Sequence, residues 1–176
     1  MGIKNYAEKT LVAGIGNEIL MDDSIGPKMC KYLRQKYIYS GIKFAILTVG
    51  GLEVLEYISG YKKVIFIDAI KTKGGNPGDV YLFTLANFKE TSNLSNLHDA
   101  SFITALGIGK KVSMEIPEEI YIIAIEIKED MVFGENLSKE LNGKLEEVKK
   151  NVNDYFLSLL SPGELRSLKL KIKNNK

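Results

Sequence analysis

The chain has 176 residues, of which 45% are hydrophobic and 26% are charged, proportions that are ordinary for a globular protein. Its 24 basic and 22 acidic residues give a formal net charge of +2, which is too small to favour nucleic acid as a partner. The single cysteine excludes an internal disulfide and a thiolate metal cluster. From the length we expect one domain over residues 1–176, with a core between about 10 and 160 and a basic C-terminal tail over 161–176.

No apolar run approaches the roughly 20 residues that a membrane-spanning helix needs. Residues 1–9 lack the apolar centre of a signal peptide. We therefore predict a soluble, cytoplasmic protein that has no membrane partner, and we expect a monomer.

Strand-like and helix-like segments alternate along the chain, which predicts a mainly parallel α/β sheet. Apolar runs predict strands at Thr10–Ile15, Ile42–Val49, Lys63–Ile70, Asp79–Thr84 and Glu119–Ile127. Helical spacing of apolar residues predicts helices at Ser24–Tyr39, Leu52–Ser59, Ala100–Lys111 and Ser138–Leu160. Residues 87–99 are polar and are expected to be irregular, Pro162-Gly163 is expected to end the fold, and the lysine-rich residues 169–176 are expected to be solvated.

Acidic residues follow two of the predicted strands. Asp22 and Asp23 come after the first strand and its Gly-Asn turn, and Asp68 stands near the end of the most apolar strand. Ligands collect at the carboxyl ends of strands in open α/β sheets. Carboxylates placed there cost free energy unless a cation or a substrate group compensates. Structural roles are the alternative, because Asp22 or Asp23 could cap the next helix and Asp68 could hold a turn.

The only histidine, His98, stands in the polar region before a predicted helix. Together with two carboxylates it would supply a mixed oxygen and nitrogen donor set, which suits nickel, zinc or cobalt. Three protein ligands leave positions open for water or substrate, as in catalytic metal sites. A histidine exposed in a loop is the alternative, and the long spacing between the three residues does not decide between the two.

Other chemistries find less support in the sequence. Gly14 and Gly16 are not followed by the third glycine of a dinucleotide-binding loop, and the chain has no Gly-Lys-Ser/Thr phosphate loop. A generic nucleotide-binding protein is therefore disfavoured. No serine stands in a Gly-x-Ser-x-Gly elbow, and Cys30 lies inside a predicted helix, where a core position is expected.

With these residues in view, the sequence resembles the hydrogenase maturation endopeptidases from about Thr10 to Leu160. The resemblance depends on GIGNEILMDDSIG at 14–26, on VIFIDAI at 64–70 with the glycine-rich loop after it, on His98, and on FGENLS at 133–138. This family clips a C-terminal extension from the large subunit of nickel-iron hydrogenases. The sequence departs from the family at Ser24, where glycine is common, and at 48–51, where family members often carry Asp and Thr.

The resemblance implies a three-layer fold, with a twisted, mostly parallel five-stranded sheet flanked by helices on both faces. It places the metal-contacting and catalytic residues at Asp23, Asp68 and His98. The nickel would be carried by the partner, a large-subunit precursor, and zinc or cadmium could occupy the site of the isolated protein. Nickel-dependent cleavage of that precursor is the expected function. A non-catalytic chaperone that senses the metal in the same precursor is the alternative.

Overall fold

The computed structural model of the chain describes residues 10–38, 41–48, 52–90, 108, 109, 111, 114–128 and 131–170. The strands in these ranges are β1 (Thr10–Ile15), β2 (Tyr37–Ile38), β3 (Ile42–Leu47), β4 (Lys63–Ile70), β5 (Val80–Thr84), β6 (Glu119–Glu126) and β7 (Lys169–Leu170). The helices are α1 (Ile25–Lys36), α2 (Glu53–Ile58), α3 (Leu85–Glu90), α4 (Lys139–Gly143), α5 (Leu145–Ser158) and α6 (Pro162–Ser167). A 3₁₀ turn, Asp22–Ser24, precedes α1.

Five strands form the central sheet in the order β3-β1-β4-β6-β5. Neighbouring strands run parallel from β3 to β6, and β5 lies antiparallel to β6 at the edge. The predicted fold class is therefore confirmed. The bounds of β1 and β4 agree with the predicted strands, because both are central and buried on both faces, which produces continuous apolar runs.

Two hydrophobic clusters cover the two faces of the sheet, because alternate residues of each strand point to opposite sides. On one face, Val12 and Ile65 pack with Met29 of α1 and Phe156 of α5. On the other face, Leu11 and Phe66 pack in the cluster that contains the buried side of α2. Helices on both sides of the sheet make three layers, as expected.

The last long helix differs from its prediction, because it is divided into α4 and α5 at Lys144, whose φ is −103° and ψ is 6°. Asn142 and Gly143 stand immediately before this break, and both have low helix propensity. Ser138 caps the first part, because its side chain accepts a hydrogen bond from the Leu141 N–H. The expectation of one continuous helix over Ser138–Leu160 is therefore wrong.

The C-terminal end of the described chain also corrects a prediction. Pro162 begins α6 instead of ending the fold, because Ser161 and Glu164 form a capping box around the first helical turn. The following strand, β7, pairs antiparallel with β2 directly after α1. Residues 169 and 170 are therefore paired in a small sheet, although Lys169 is exposed as expected, and α1 ends at Lys36 rather than at Tyr39.

Residues 87–99 were expected to be irregular, but α3 continues to Glu90. The remainder of that segment lies outside the described residues, as does most of the predicted helix Ala100–Lys111, of which residues 108, 109 and 111 are helical. Among the described residues, no helix has the length and apolarity to cross a membrane.

Candidate active site

Two glycines bring the turn after β1 against the edge of the sheet. A Cβ on Gly26 would lie 2.5 Å from the Ile67 carbonyl oxygen and closer still to that of Ile15. Gly16 has a φ of 138°, and a Cβ there would overlap the Asp23 carbonyl oxygen. Since only glycine fits these contacts, the start of α1 lies directly on the carboxyl ends of β1 and β4.

Asp22 and Asp23 are adjacent in the turn but have different surroundings. Asp22 is fully buried, and its Oδ1 accepts a 2.7 Å hydrogen bond from the Ser138 N–H before α4. Asp23 is half-buried, and its Oδ2 accepts a 2.6 Å hydrogen bond from the Asn17 N–H. Asp22 therefore joins two distant parts of the chain, whereas Asp23 belongs to the edge of the sheet.

Asp68 lies near the carboxyl end of β4. It is half-buried, and its Oδ1 accepts a 2.8 Å hydrogen bond from the Ala69 N–H. Alternation along β4 places Asp68 on the sheet face that α2 covers. Asp68 follows Ile67, whose carbonyl contacts Gly26, and Asp23 precedes Gly26 by three residues. The structure therefore brings Asp23 and Asp68 to the same edge of the sheet, where the turn that carries Asp23 contacts β4.

His98 lies outside the described residues, so its meeting with the two carboxylates stays a prediction. In the part of the chain that the structure describes, no group of three histidine, cysteine, aspartate or glutamate side chains is arranged to hold a metal ion.

Sequence reasoning missed Glu126, which ends β6 next to Ile70. Its carboxylate is almost fully buried and accepts hydrogen bonds from the Thr72 N–H at 2.7 Å and the Thr72 hydroxyl at 2.9 Å. A Cβ on Gly75 would overlap this carboxylate, so the glycine-rich loop after Asp68 is wrapped around it. Burial, followed by the negative charges of Glu126 and Asp79, raises the pKa of Tyr81. An acid at the end of an apolar strand is the same signal that identified Asp68.

The thiol of Cys30 is not available as a nucleophile. It is buried among the residues that join α1 to the sheet, with its Sγ 3.3 Å from the Ala45 carbonyl oxygen. Burial raises the pKa of this thiol to about 11. The predicted core position of Cys30 is confirmed.

The fold defines a three-layer α/β protein whose candidate site lies where parallel strands end. More particularly, the chain belongs to the hydrogenase maturation protease family, because the HycI model of that family matches residues 27–155. It is therefore an endopeptidase, a hydrolase that acts in hydrogenase maturation. Asp68 and His98 lie within the matched residues, and Asp23 lies four residues before them.

Solved structures of low sequence identity share the fold. The hydrogenase maturating endopeptidase HybD from Escherichia coli is 20% identical with a TM-score of 0.70, over 96% of this chain and 99% of that one. The NiFe hydrogenase maturation protease HybD from Thermococcus kodakarensis is 24% identical with a TM-score of 0.61, over 84% and 98% of the two chains. The HycI protease from the same organism is 20% identical with a TM-score of 0.59, over 84% and 91%. Among curated proteins, none matches this chain significantly in sequence.

Proposed function

We propose that the protein removes the C-terminal extension of a nickel-iron hydrogenase large-subunit precursor after nickel has been inserted. The family membership supports the type of reaction. The observation that carries the proposed site is the close approach at Gly26, which positions Asp23 and Asp68 at one edge of the sheet. The similarity to a NiFe hydrogenase maturation protease from Thermococcus kodakarensis is consistent with the proposed substrate.

In this proposal the nickel ion is part of the substrate. Asp23 and Asp68 supply oxygen donors and His98 supplies a nitrogen donor, which together suit a borderline divalent ion such as nickel. Three protein donors leave the other positions of the ion to the precursor and to water. Zinc or cadmium fits the same donors and could bind the isolated protein.

Peptide hydrolysis then needs a positioned water molecule and a stabilised oxyanion. Asp23 or Asp68 orients the water and accepts its proton as the oxygen attacks the scissile carbonyl, an aspartyl-type role. The positive charge of the nickel stabilises the developing oxyanion. When the C–N bond breaks, the proton passes to the leaving amine. Cleavage therefore depends on the metal, so a precursor without nickel is not processed.

The test is incubation of the purified protein with nickel-loaded and nickel-free precursor, followed by measurement of the precursor mass. We expect only the loaded precursor to become shorter. His98→Ala, Asp23→Asn and Asp68→Asn should each reduce the cleavage rate at least about 100-fold while the circular dichroism spectrum is unchanged. Asp154→Asn is the matched control, because Asp154 is an exposed acid on α5 that pairs with Lys150.

Two outcomes would contradict the proposal. Equal cleavage of nickel-free and nickel-loaded precursor would show that the reaction does not require the metal. A stable complex with a precursor of unchanged mass would indicate the chaperone alternative.

A further inference from the structure

An exposed apolar surface lies beside the candidate active site. We call it the apolar ribbon, and it consists of Ile19, Met131, Val132 and Phe133. These side chains are 58%, 79%, 44% and 76% exposed. The two segments that carry them are paired through a bridge between Leu20 and Phe133. Single exposed apolar residues are ordinary, but a contiguous group of this kind marks an interaction site.

Hydrogen bonds hold the apolar ribbon firmly in place. The Met21 N–H donates to the Val132 carbonyl at 2.9 Å, and the Gly134 N–H donates to the Ile19 carbonyl at 3.0 Å. At its base, Lys28 Nζ donates to the Glu135 carbonyl at 3.2 Å. The exposure of the ribbon is therefore built into the fold, because both of its segments are fixed to the rest of the chain.

The position of the apolar ribbon connects it to cleavage. Met21, which is bonded to Val132, is followed directly by Asp22 and Asp23. Asp22 in turn fixes the segment after the ribbon through Ser138. A protein that contacts the ribbon therefore lies next to Asp23 at the carboxyl edge of the sheet.

The charges near the ribbon indicate the chemistry of its partner. Lys31 forms an ion pair with Glu18. The Lys28 ammonium donates to the Ser24 hydroxyl as well as to the Glu135 carbonyl. Because these cations are engaged within the chain, burial of apolar area is the main attraction that the ribbon offers. The matching surface on the partner is therefore apolar.

The size of the apolar ribbon argues against a stable dimer of this chain. The exposed fractions of its four side chains correspond to about 450 Å² of accessible apolar surface, if each fully exposed side chain has about 150–200 Å². Stable complexes bury about 800 Å² on each partner. An area of this size suits a partner that binds briefly and leaves, as a substrate does.

We propose that the apolar ribbon is the docking surface for the hydrogenase large-subunit precursor, on which it receives an apolar surface segment next to the cleavage site. The identity of the partner rests on the proposed function above. Docking on the ribbon adds binding energy that the peptide bond and the metal do not supply.

The experiment measures the affinity of immobilised nickel-free precursor, which the proposed mechanism leaves uncut, for three proteins in which Asp23, Asp68 and His98 are unchanged. These are the parent, a ribbon variant with Met131→Ser and Phe133→Ser, and a control variant with Ile38→Ser and Leu165→Ser. The control residues are 54% and 43% exposed, and they lie in β2 and in α6, away from the ribbon. We expect the ribbon variant to bind about 10- to 100-fold more weakly than the parent and the control to bind within about twofold.

The outcomes separate docking from cleavage. Equal binding by the ribbon variant and the parent, or no binding by the parent, would overturn the docking inference. A dimer that sedimentation detects in the parent but not in the ribbon variant would also overturn it, because a second copy would then be the partner. Failure of the wild-type protein to shorten the precursor would count against the proposed function alone, since binding is measured without cleavage.

Discussion

Polar side chains have different partners and different burial at the two edges of the central sheet. At the amino edge, Lys63 is buried, and its ammonium donates to Glu164 at 3.2 Å and to the Leu159 carbonyl at 2.8 Å. Glu164 also accepts a 2.7 Å hydrogen bond from the Thr10 hydroxyl. At the carboxyl edge, Asp23 and Asp68 are half-buried, and Asp23 lies two residues after Met21, which is hydrogen-bonded to the exposed apolar ribbon.

The comparison predicts that the two edges of the sheet have separate roles, the amino edge in stability and the carboxyl edge in activity. The amino edge uses its charges to fix α6 against β1 and β4, so its polar groups satisfy one another within the fold. The carboxyl edge collects acids from separate strands, because parallel strands all end there. Substitutions at the amino edge should therefore change stability, and most polar substitutions at the carboxyl edge should change activity.

The largest effect is expected for Gly26→Ala, which should reduce the stability of the fold and abolish precursor cleavage together. Its new Cβ would meet two backbone carbonyls that cannot move independently of the sheet. We expect a loss of at least about 3 kcal/mol in the free energy of unfolding, with loss of precursor cleavage. Gly143→Ala is the matched control, because no atom lies within 4 Å of a Cβ there. Urea unfolding should show the control unchanged or slightly stabilised, and equal midpoints for both variants would contradict the prediction.

Asp22→Ala tests a polar residue at the carboxyl edge that should affect stability instead of activity. The buried Ser138 N–H would lose its charged acceptor, so the free energy of unfolding should fall by about 2–3 kcal/mol. Asp23→Asn should leave stability nearly unchanged while cleavage is lost. Chemical unfolding of the two variants separates these roles, and a larger loss of stability for Asp23→Asn would contradict the assignment.

Glu164→Gln probes the amino edge through pH. Burial raises the pKa of this carboxyl, but hydrogen bonds from Ser161 and Thr10 and the charge of Lys63 outweigh it, and the pKa lies below its ordinary value of 4.5. The stabilisation is therefore present above about pH 4.5 and is lost as the pH falls through the lowered pKa. We expect the variant to be about 1 kcal/mol less stable at pH 7, with the difference shrinking toward pH 3.

The matched control for this prediction is Glu140→Gln, which removes an exposed ion pair with Lys128 and should cost less than about 0.5 kcal/mol. Urea titrations at several pH values measure both variants. Reduced precursor cleavage by Glu164→Gln at pH 7 would show that the two edges are not separate in function.

The smallest effect concerns Cys30, whose reactivity reports on how tightly α1 packs against the central sheet. Because burial raises the pKa of its thiol to about 11, alkylation by iodoacetamide at pH 8 should be at least about 100-fold slower in the native protein than in urea. Mass spectrometry follows the modification. Rapid labelling of the native protein would mean that α1 opens from the sheet.

Several features were predictable because they depend on neighbouring residues. The bounds of β1 and β4 follow from apolar runs, and the Gly-Asn turn and the acids after it identify the carboxyl edge. The helix break at Lys144 and the capping box at Ser161 were also encoded locally, in Asn142-Gly143 and in the Ser-Pro-Gly-Glu order. The break was missed because the apolar spacing predicts one continuous helix, and α6 was missed because Pro162-Gly163 predicts the end of the fold.

The sequence by itself determined the sheet strands, the glycine turn and the acids that follow strand ends. Only the tertiary structure decided that Asp22 is a buried structural acid and Asp23 an edge residue, because the Ser138 partner of Asp22 is 116 residues away. It also decided that Glu126 holds the loop after Asp68 and that Phe133 stays exposed. Burial and hydrogen bonding between distant segments depend on the packed arrangement of the whole sheet, which no local pattern of residues specifies.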